Sequence, residues 1–433
     1  MISNNKLITI ALSVQFIFLS FSLFGQNSKT DHTIHKAVQQ HTDKIFDSLI
    51  KVRRDLHTYP ELAEQEKRTS QKIAHYLKSL GLEVHTNIGG YGVVGILKTN
   101  KKGKRIAWRA DIDALSSEFP DVVEFSSKNK GVRHICGHDI HTTIGLGIAN
   151  VLTNLKDSLT GTIYFVFQPS EENWKGAKAM IDDGLFDIIN PDEIYALHVS
   201  PMPQGVIAAR SRNLFADYKD LKVVLKKTED KDEIINYTKE LISSFQNVAT
   251  DSKFWDVRNL MDAEIGLANP KTIFKDYVTV NSNFRIEEKE NEIVIKAYLS
   301  ASNEYKLDSV LSSLKQKFLL SNYSKNLVDI AYSYEIALVL NDEKLTPLVT
   351  NSISDIYGKQ SAISLQGVIP DGRSDDFAYY QEYAPSVYFL IGASDYKNGV
   401  ISMPHSPNFA ADENSIKTGV NYFSSMIIER LKE

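Results

Sequence analysis

Thiolate, imidazole and carboxylate side chains bind zinc-like ions, and this sequence places all three in a few short segments. Cys136 and His138 stand two residues apart in a Cys-Gly-His run, a spacing that lets both face one ion from a turn. Two adjacent carboxylates, Glu171 and Glu172, follow further along the chain, and His198 comes next. This combination predicts a metal site.

Each of these features has an ordinary explanation when it is taken alone. A single buried cysteine usually packs in a core, and a histidine at the end of a strand usually forms structural hydrogen bonds. Adjacent glutamates are usually a solvated pair. Here such features follow one predicted strand after another. That coincidence favours one shared metal site over separate explanations.

The hydrophobic pattern indicates the elements that must position these side chains. Apolar runs at 105–110, 162–167 and 193–197 predict strands, and helical spacing at 142–155 and 177–183 predicts helices between them. This alternation is typical of an α/β domain with a mixed, largely parallel sheet. Because open sheets of this kind place ligands at the carboxyl ends of their strands, we expect the acidic and imidazole side chains to converge there.

The pattern changes after Phe215. Residues 216–327 predict a small βαββαβ unit of ferredoxin-like type, and no histidine occurs between His198 and His405. The α/β pattern then resumes. We therefore interpret the small unit as a domain inserted into a main domain that comprises residues 31–215 and 328–433.

The two adjacent glutamates are expected to have different roles. Neighbouring residues on a turn cannot both point at one ion with good geometry, so one of Glu171 and Glu172 should bind and the other should catalyse. Hydrolysis at a divalent ion needs a base that takes a proton from water and returns it to the leaving amine. A carboxylate held beside the metal can do this.

Composition limits the classes of function. The 433 residues include 49 Lys and Arg against 54 Asp and Glu, a formal charge of −5, so no broad basic surface attracts nucleic acid. The single cysteine excludes an intramolecular disulfide framework. Stability must therefore come from packing, from metal or from both.

The amino terminus has the layout of a signal peptide. Residues 7–24 carry no charge and follow a short start that contains a lysine. An uncleaved membrane anchor is the alternative, since this stretch approaches the ~20 residues that span a bilayer. We expect residues 1–26 to be removed, the protein to be periplasmic or secreted, and no stable membrane association afterwards.

Several segments together resemble the aminoacylase and carboxypeptidase metallohydrolases, and most closely the branch of hippurate hydrolases and indoleacetyl-amino-acid hydrolases. They run in order through nearly all of the chain outside the insertion. The matching segments are Arg54-Asp55-Leu56-His57, Asp111-Ile112-Asp113-Ala114-Leu115, residues 134–142, residues 168–177, Leu197-His198-Val199, Ser374-Asp375-Asp376-Phe377 and Pro404-His405-Ser406-Pro407.

The resemblance implies a site with two divalent metal ions, zinc or manganese, that acts on N-acyl amino acids or short peptides. Its ligand positions fall on Cys136, His138, Glu172, His198 and His405. The general base and acid falls on Glu171, which implies amide hydrolysis by metal-activated water. Asp113 falls on an acidic position that supports the ligands from behind. Arg285 falls where an arginine of the inserted lid holds the substrate carboxylate, with an ordinary surface arginine as the alternative.

The inserted domain departs from this family. Related enzymes carry a lid histidine that reaches the reacting carbonyl, often from a partner subunit, whereas residues 225–231 and the rest of the insertion contain none. Losing one such donor typically costs about 10²–10³ in rate. A metal-containing binding protein with little catalysis is therefore the main alternative. The third possibility is a structural exported protein that contains no stoichiometric metal. Whether the protein forms a homodimer is left open.

Overall fold

The computed structural model describes residues 32–370 and 374–433. The expected signal peptide, residues 1–26, lies outside these residues and stays a prediction. Within the described residues, no helix is both long enough and apolar enough to cross a membrane.

The first part of the chain alternates helices with strands. Its helices are α1 (His32–Thr58), α2 (Lys67–Ser79), α3 (His138–Asn154), α4 (Gly176–Asp182) and α5 (Leu185–Ile188). Its strands are β1 (Glu83–Ile88), β2 (Gly92–Lys98), β3 (Arg105–Asp111), β4 (Leu115–Ser116), β5 (Val132–Arg133), β6 (Thr162–Gln168), β7 (Glu193–Pro203), β8 (Ile207–Ala209) and β9 (Arg212–Asn213). Strands β3, β6 and β7 correspond to the three strands that the sequence predicts at 105–110, 162–167 and 193–197.

A second, smaller sheet follows in the middle of the chain. Its elements are β10 (Asp217–Lys226), α6 (Lys231–Ser243), β11 (Val278–Val280), β12 (Arg285–Glu288), β13 (Glu292–Ala301), α7 (Glu304–Leu319) and β14 (Leu327–Glu335). The strands are antiparallel in the order β11-β13-β10-β14, and β12 pairs with the same edge of β13 as β11 does. Both helices pack on one face of this sheet in a separate apolar core.

The chain then returns to the main domain. The remaining elements are β15 (Leu340–Asn341), α8 (Leu345–Tyr357), β16 (Ala362–Ser364), β17 (Ser386–Ser394) and α9 (Asn414–Leu431). They complete an eight-stranded sheet in the order β1-β2-β6-β3-β7-β17-β8-β16. Its centre, β6-β3-β7-β17, is parallel, whereas β1, β2 and the β17–β8 pair are antiparallel. The predicted α/β fold with an inserted lid is confirmed.

Alternation along the central strands divides the main core into two layers. Ile106 and Trp108 of β3 pack with helices α1, α3, α8 and α9, whereas Ala107 between them faces the opposite layer. This is the period of two that a pleated strand imposes on its side chains. Helices α3 and α9 approach closely at Gly147, where a Cβ atom would lie 2.4 Å from Val420 Cγ2. The sheet is thus covered on both faces, and its carboxyl-end edge is where polar side chains gather.

The boundary expected between the insertion and the main domain is wrong at its carboxyl end. The sequence pattern placed the return to the main domain at Val328, but β14 pairs along β10 from Leu327 to Glu335 and belongs to the small sheet. An amphipathic strand looks alike in either sheet, because the hydrophobic pattern does not specify the partner strand.

Part of the insertion lies in the core of the main domain. We call residues 248–277 the clasp. Phe254, Leu267, Phe274 and Tyr277 of this segment are buried among main-domain residues rather than in the core of the small sheet. Its backbone also bonds the loop after β16, where the Val368 N–H donates to the Phe274 carbonyl at 2.9 Å. The lid is therefore attached to the main domain through its middle as well as through its two ends.

Replacing Phe274 with alanine tests this assignment of the clasp. Phe274 is fully buried, so Phe274→Ala should lower the free energy of unfolding by about 3–5 kcal/mol, measured by urea denaturation. Val257→Ala is the matched control, because Val257 lies in the same segment with 65% of its surface exposed. Its cost should stay within about 0.5 kcal/mol. Equal, small effects of both substitutions would contradict a core role for the clasp.

Candidate metal centre

A thiol and two imidazoles from distant parts of the chain meet at the carboxyl-end edge of the main sheet. The sulfur of Cys136 lies 3.2 Å from Nε2 of His198, near the middle of β7, and 3.1 Å from Nε2 of His405. Cys136 is buried, and both histidine side chains are partly exposed at the surface of the site. Three of the five predicted ligands thus point at a common volume.

The other two predicted ligands complete the cluster. Oε1 of Glu172 lies 3.4 Å from His405 Nε2 and 3.7 Å from Nε2 of His138. Among the described residues, neither Oε1 of Glu172 nor Nε2 of His138 has a hydrogen-bond partner, although both atoms are buried. Because buried polar atoms are normally paired, two orphaned atoms that face each other indicate space for a ligand between them.

The donor set fits divalent cations, which these residues would hold in two groups. Cys136 groups with His138 and His198 on one side and with Glu172 and His405 on the other, with all ligand atoms of each group within 4.8 Å of one another. Sulfur and nitrogen ligands of one tetrahedral zinc ion lie about 3.6 Å apart, given usual bond lengths. Burial, with the carboxylates of Glu172 and Glu171, raises the pKa of the Cys136 thiol well above its usual range. Cations would offset this repulsion.

Unusual backbone conformations bring these predicted ligands together. Gly137, between Cys136 and His138, has φ +90°, and a Cβ atom there would lie 2.5 Å from Val199 Cγ2. This explains the glycine in the Cys-Gly-His run. His405 has φ +62°, a conformation that a non-glycine residue holds only when its surroundings impose it.

Asp113 lies behind two of the predicted ligands, as expected for its position after β3. Its Oδ1 is 3.2 Å from Nδ1 of His138, and its Oδ2 accepts the Glu172 backbone N–H at 3.0 Å. The ring of His138 therefore donates from Nδ1, and its Nε2 faces the site, where the neutral imidazole would offer a lone pair to a metal ion. This is the arrangement by which a carboxylate orients a metal-binding histidine.

Glu171 lies in the same cluster but against different neighbours. Its Oε2 is 3.8 Å from His138 Nε2, so both adjacent glutamates face one imidazole nitrogen. The expectation that one of the two binds metal and the other catalyses stays a prediction. Their surroundings differ, because Glu171 also groups with Asp375 and Asp376. Burial and the Asp375 and Glu172 carboxylates raise the pKa of Glu171 well above its usual range.

A buried arginine in β3 holds carboxylates next to the site, and its role was not predicted from the sequence. Arg109 donates to Asp111 at 2.6 Å and to Asp375 and Asp376 at 3.0 Å each, and it is only 1% exposed. It therefore provides the positive charge that holds three buried carboxylates near Glu171. The available signal was an arginine inside an otherwise apolar strand.

A buried carboxylate before α2 fixes the turn that carries both glutamates. Oε1 of Glu66 accepts the Ser170 backbone N–H at 2.7 Å and lies 3.2 Å from the Ser170 hydroxyl. Burial and the charge of Asp113 raise the pKa of Glu66 to about 7. Ser170 has φ +58°, so this pair stabilises a strained residue directly before Glu171. No sequence feature that we used pointed to Glu66.

A third buried network anchors the start of α3. His57 lies between two carboxylates, with Nδ1 2.9 Å from Asp139 and Nε2 3.0 Å from Asp121. Carboxylates accept but do not donate, so both ring nitrogens carry a proton and the imidazole is cationic. Burial alone would lower the pKa of His57, but the hydrogen bonds to Asp121 and Asp139 outweigh burial and raise it.

Arg285 lies in the small sheet and is already paired. It is the first residue of β12, and β11 ends before it at Val280. Its guanidinium donates to Asp220 at 2.7 Å and lies over the ring of Tyr298 at 4.2 Å. The hydrogen bond to Asp220 uses one of the five guanidinium N–H donors, so binding of a substrate carboxylate by Arg285 stays a prediction.

Comparisons with known proteins agree with this site. A family model described as peptidase family M20/M25/M40 matches residues 107–429. Thermostable carboxypeptidase 2 of Saccharolobus solfataricus is 30% identical over 87% of this chain and 93% of its own. An IAA-amino acid hydrolase of Arabidopsis thaliana is 26% identical over 90% of this chain and 87% of its own. YxeP of Bacillus subtilis, described as a dinuclear metal-binding M20 peptidase, superposes with a TM-score of 0.71 over 90% of this chain and 99% of its own, at 23% identity.

The chain belongs to peptidase family M20/M25/M40, and it is a metal-dependent amidohydrolase or peptidase. The expected resemblance and the expectation of an enzyme are confirmed. The expectation of two divalent metal ions, zinc or manganese, stays a prediction.

The His57 network predicts a pH-dependent stability. Because the folded-state pKa of His57 is raised, its stabilising effect is full below its unfolded pKa of about 6.5 and is lost as pH rises through the folded value. The stability difference between wild type and His57→Gln, from urea denaturation, should therefore be largest near pH 6 and shrink toward pH 9. Asp121→Asn should weaken this dependence. A difference that grows with pH would contradict the cationic assignment.

Proposed function

We propose that this protein hydrolyses the amide bond of N-acyl amino acids or short peptides. The proposed metal ligands are Cys136, His138, Glu172, His198 and His405. One observation carries the catalytic part of the proposal: Glu171 is a buried carboxylate whose Oε2 lies 3.8 Å from His138 Nε2, and it also groups with Asp375 and Asp376, which are not among the proposed ligands. A protein that only retained metal would have no need of it.

Glu171 is the group we assign to proton transfer. Divalent cations in this site would supply Lewis acidity toward the amide carbonyl and lower the pKa of water. Glu171 takes a proton from the attacking water and returns it to the nitrogen of the leaving amine. Arg109, through Asp375 and Asp376, keeps the surroundings of that carboxylate fixed, and the turn held by Glu66 sets its position.

The substrate class is supported by the relatives. The names carboxypeptidase and amino acid hydrolase both denote substrates in which an amino acid is joined through its amino group to an acyl or peptidyl group. For the metal, a thiolate and three imidazoles favour zinc, and the carboxylate also suits manganese. Metal analysis of the purified protein would distinguish them.

Export is part of the proposal and rests on the uncharged stretch at residues 7–24. The full chain, expressed in a Gram-negative host, should give a periplasmic protein that begins near residue 27 by amino-terminal sequencing. A full-length chain in the cytoplasmic or membrane fraction would contradict export and leave the enzymatic proposal intact.

Glu171→Gln tests the catalytic role. The variant should keep two metal equivalents and lose about 10²–10⁴ in kcat, measured on a panel of N-acyl amino acids and dipeptides, because the amide cannot accept a proton. Glu172→Gln is the matched control at the adjacent position, and it should lose metal instead. Undiminished hydrolysis by Glu171→Gln would refute its role. A wild-type protein with bound metal and no turnover on any substrate would instead support the binding protein.

A further inference from the structure

The backbone of Val199 is held by two histidines. The ladder between β3 and β7 ends at Arg109 and Ala196, so β7 continues past the end of its neighbour on that side. The Val199 N–H there donates to Nε2 of His141 at 2.9 Å. An imidazole from α3 thus takes the place of a strand partner.

The hydrogen bonds of His141 define which nitrogen carries its proton. Because a backbone N–H only donates, Nε2 of His141 must accept and the proton must be on Nδ1. That nitrogen lies 2.6 Å from Oδ1 of Asp111, whose other oxygen accepts from Arg109 at 2.6 Å. All three side chains are at most 1% exposed. Both nitrogens of His141 are occupied, so it has no lone pair left for a metal.

The hydrogen bond of His198 to Val199 defines its protonated nitrogen in the same way. Nδ1 of His198 lies 2.7 Å from the Val199 carbonyl, which only accepts, so this nitrogen is protonated. The lone pair of Nε2 is therefore directed at the metal site, where the sulfur of Cys136 lies 3.2 Å away. The rings of His141 and His198 also contact each other edge to face, with centroids 4.6 Å apart.

We propose that His141, held by Asp111 and Arg109, is a positioning residue for the metal ligand His198. It fixes the Val199 backbone, and the Val199 carbonyl fixes the ring orientation and tautomer of His198. This inference rests on the proposed metal centre. An apolar residue would fill the same space in α3, but it would leave the Val199 N–H unpaired and would not hold the carbonyl in place.

Metal affinity and a cobalt spectrum test the inference. His141→Phe removes the acceptor for the Val199 N–H, whereas His141→Gln keeps an oxygen that can accept it. His35→Phe and His35→Gln are matched controls, because His35 is equally buried and pairs with Glu429, which lies outside the metal centre. We expect His141→Phe to lower the affinity for one of two Co²⁺ ions about 10–100-fold and to shift its visible absorption. His141→Gln should recover most of the affinity, and the controls should match wild type.

The outcomes separate this inference from the proposed function. Wild-type protein that binds no Co²⁺ would refute the metal centre itself. Two Co²⁺ ions in wild type, with equal affinity and spectrum in His141→Phe, would overturn only the role of His141, and so would a His141→Gln variant no better than His141→Phe. If His141→Phe does not fold, the ¹⁵N chemical shifts of the histidines in the wild-type protein test the predicted tautomer of His141 instead. A proton on Nδ1 of His141 supports the proposal, and a proton on Nε2 overturns it.

Discussion

Buried negative charge is the constraint on which the rest of this structure depends. A thiol and several carboxylates lie within a few ångströms of one another at one edge of the main sheet, in surroundings where charge repulsion is weakly screened. Arg109 compensates part of this charge from inside the sheet. Neutral imidazole ligands would compensate none of it, and divalent cations bound in the site would supply the rest. A cation that binds only the assembled site would stabilise the folded chain, so the proposed metal centre would couple metal binding to folding.

The architecture meets this constraint by fixing each donor from behind. Asp113 orients His138, Glu66 holds the turn before Glu171, and the Val199 backbone orients His198. Positive φ angles at Ser170 and His405 show that the backbone bends to bring donors inward. Such residues cost about 1–3 kcal/mol each, which the surrounding hydrogen bonds must offset. The donors are thus preorganised by a rigid shell that belongs mostly to the strand ends and to α3.

The sequence was sufficient for the fold class and for the convergence of the ligand side chains, because these depend on short contiguous patterns. Cys136 and His138 share one turn, and the strands that precede Glu172 and His198 have clear apolar runs. The supporting residues were harder to predict. Arg109 and Glu66 act through partners far along the chain, and a single sequence does not specify long-range contacts. The domain boundary predicted at residue 328 was wrong for the same reason, since the hydrophobic pattern of β14 does not specify which strand it pairs with.

The clasp makes the lid inseparable from the rest of the molecule. A fragment that spans the small sheet from β10 to β14 would contain Phe254, Phe274 and Tyr277, which pack against one another and are buried in the core of the main domain. Expressed alone, this fragment would expose an apolar patch and would aggregate. The lid is therefore not an autonomous module, and a chimaera that exchanges lids between relatives would have to leave residues 248–277 with their original host.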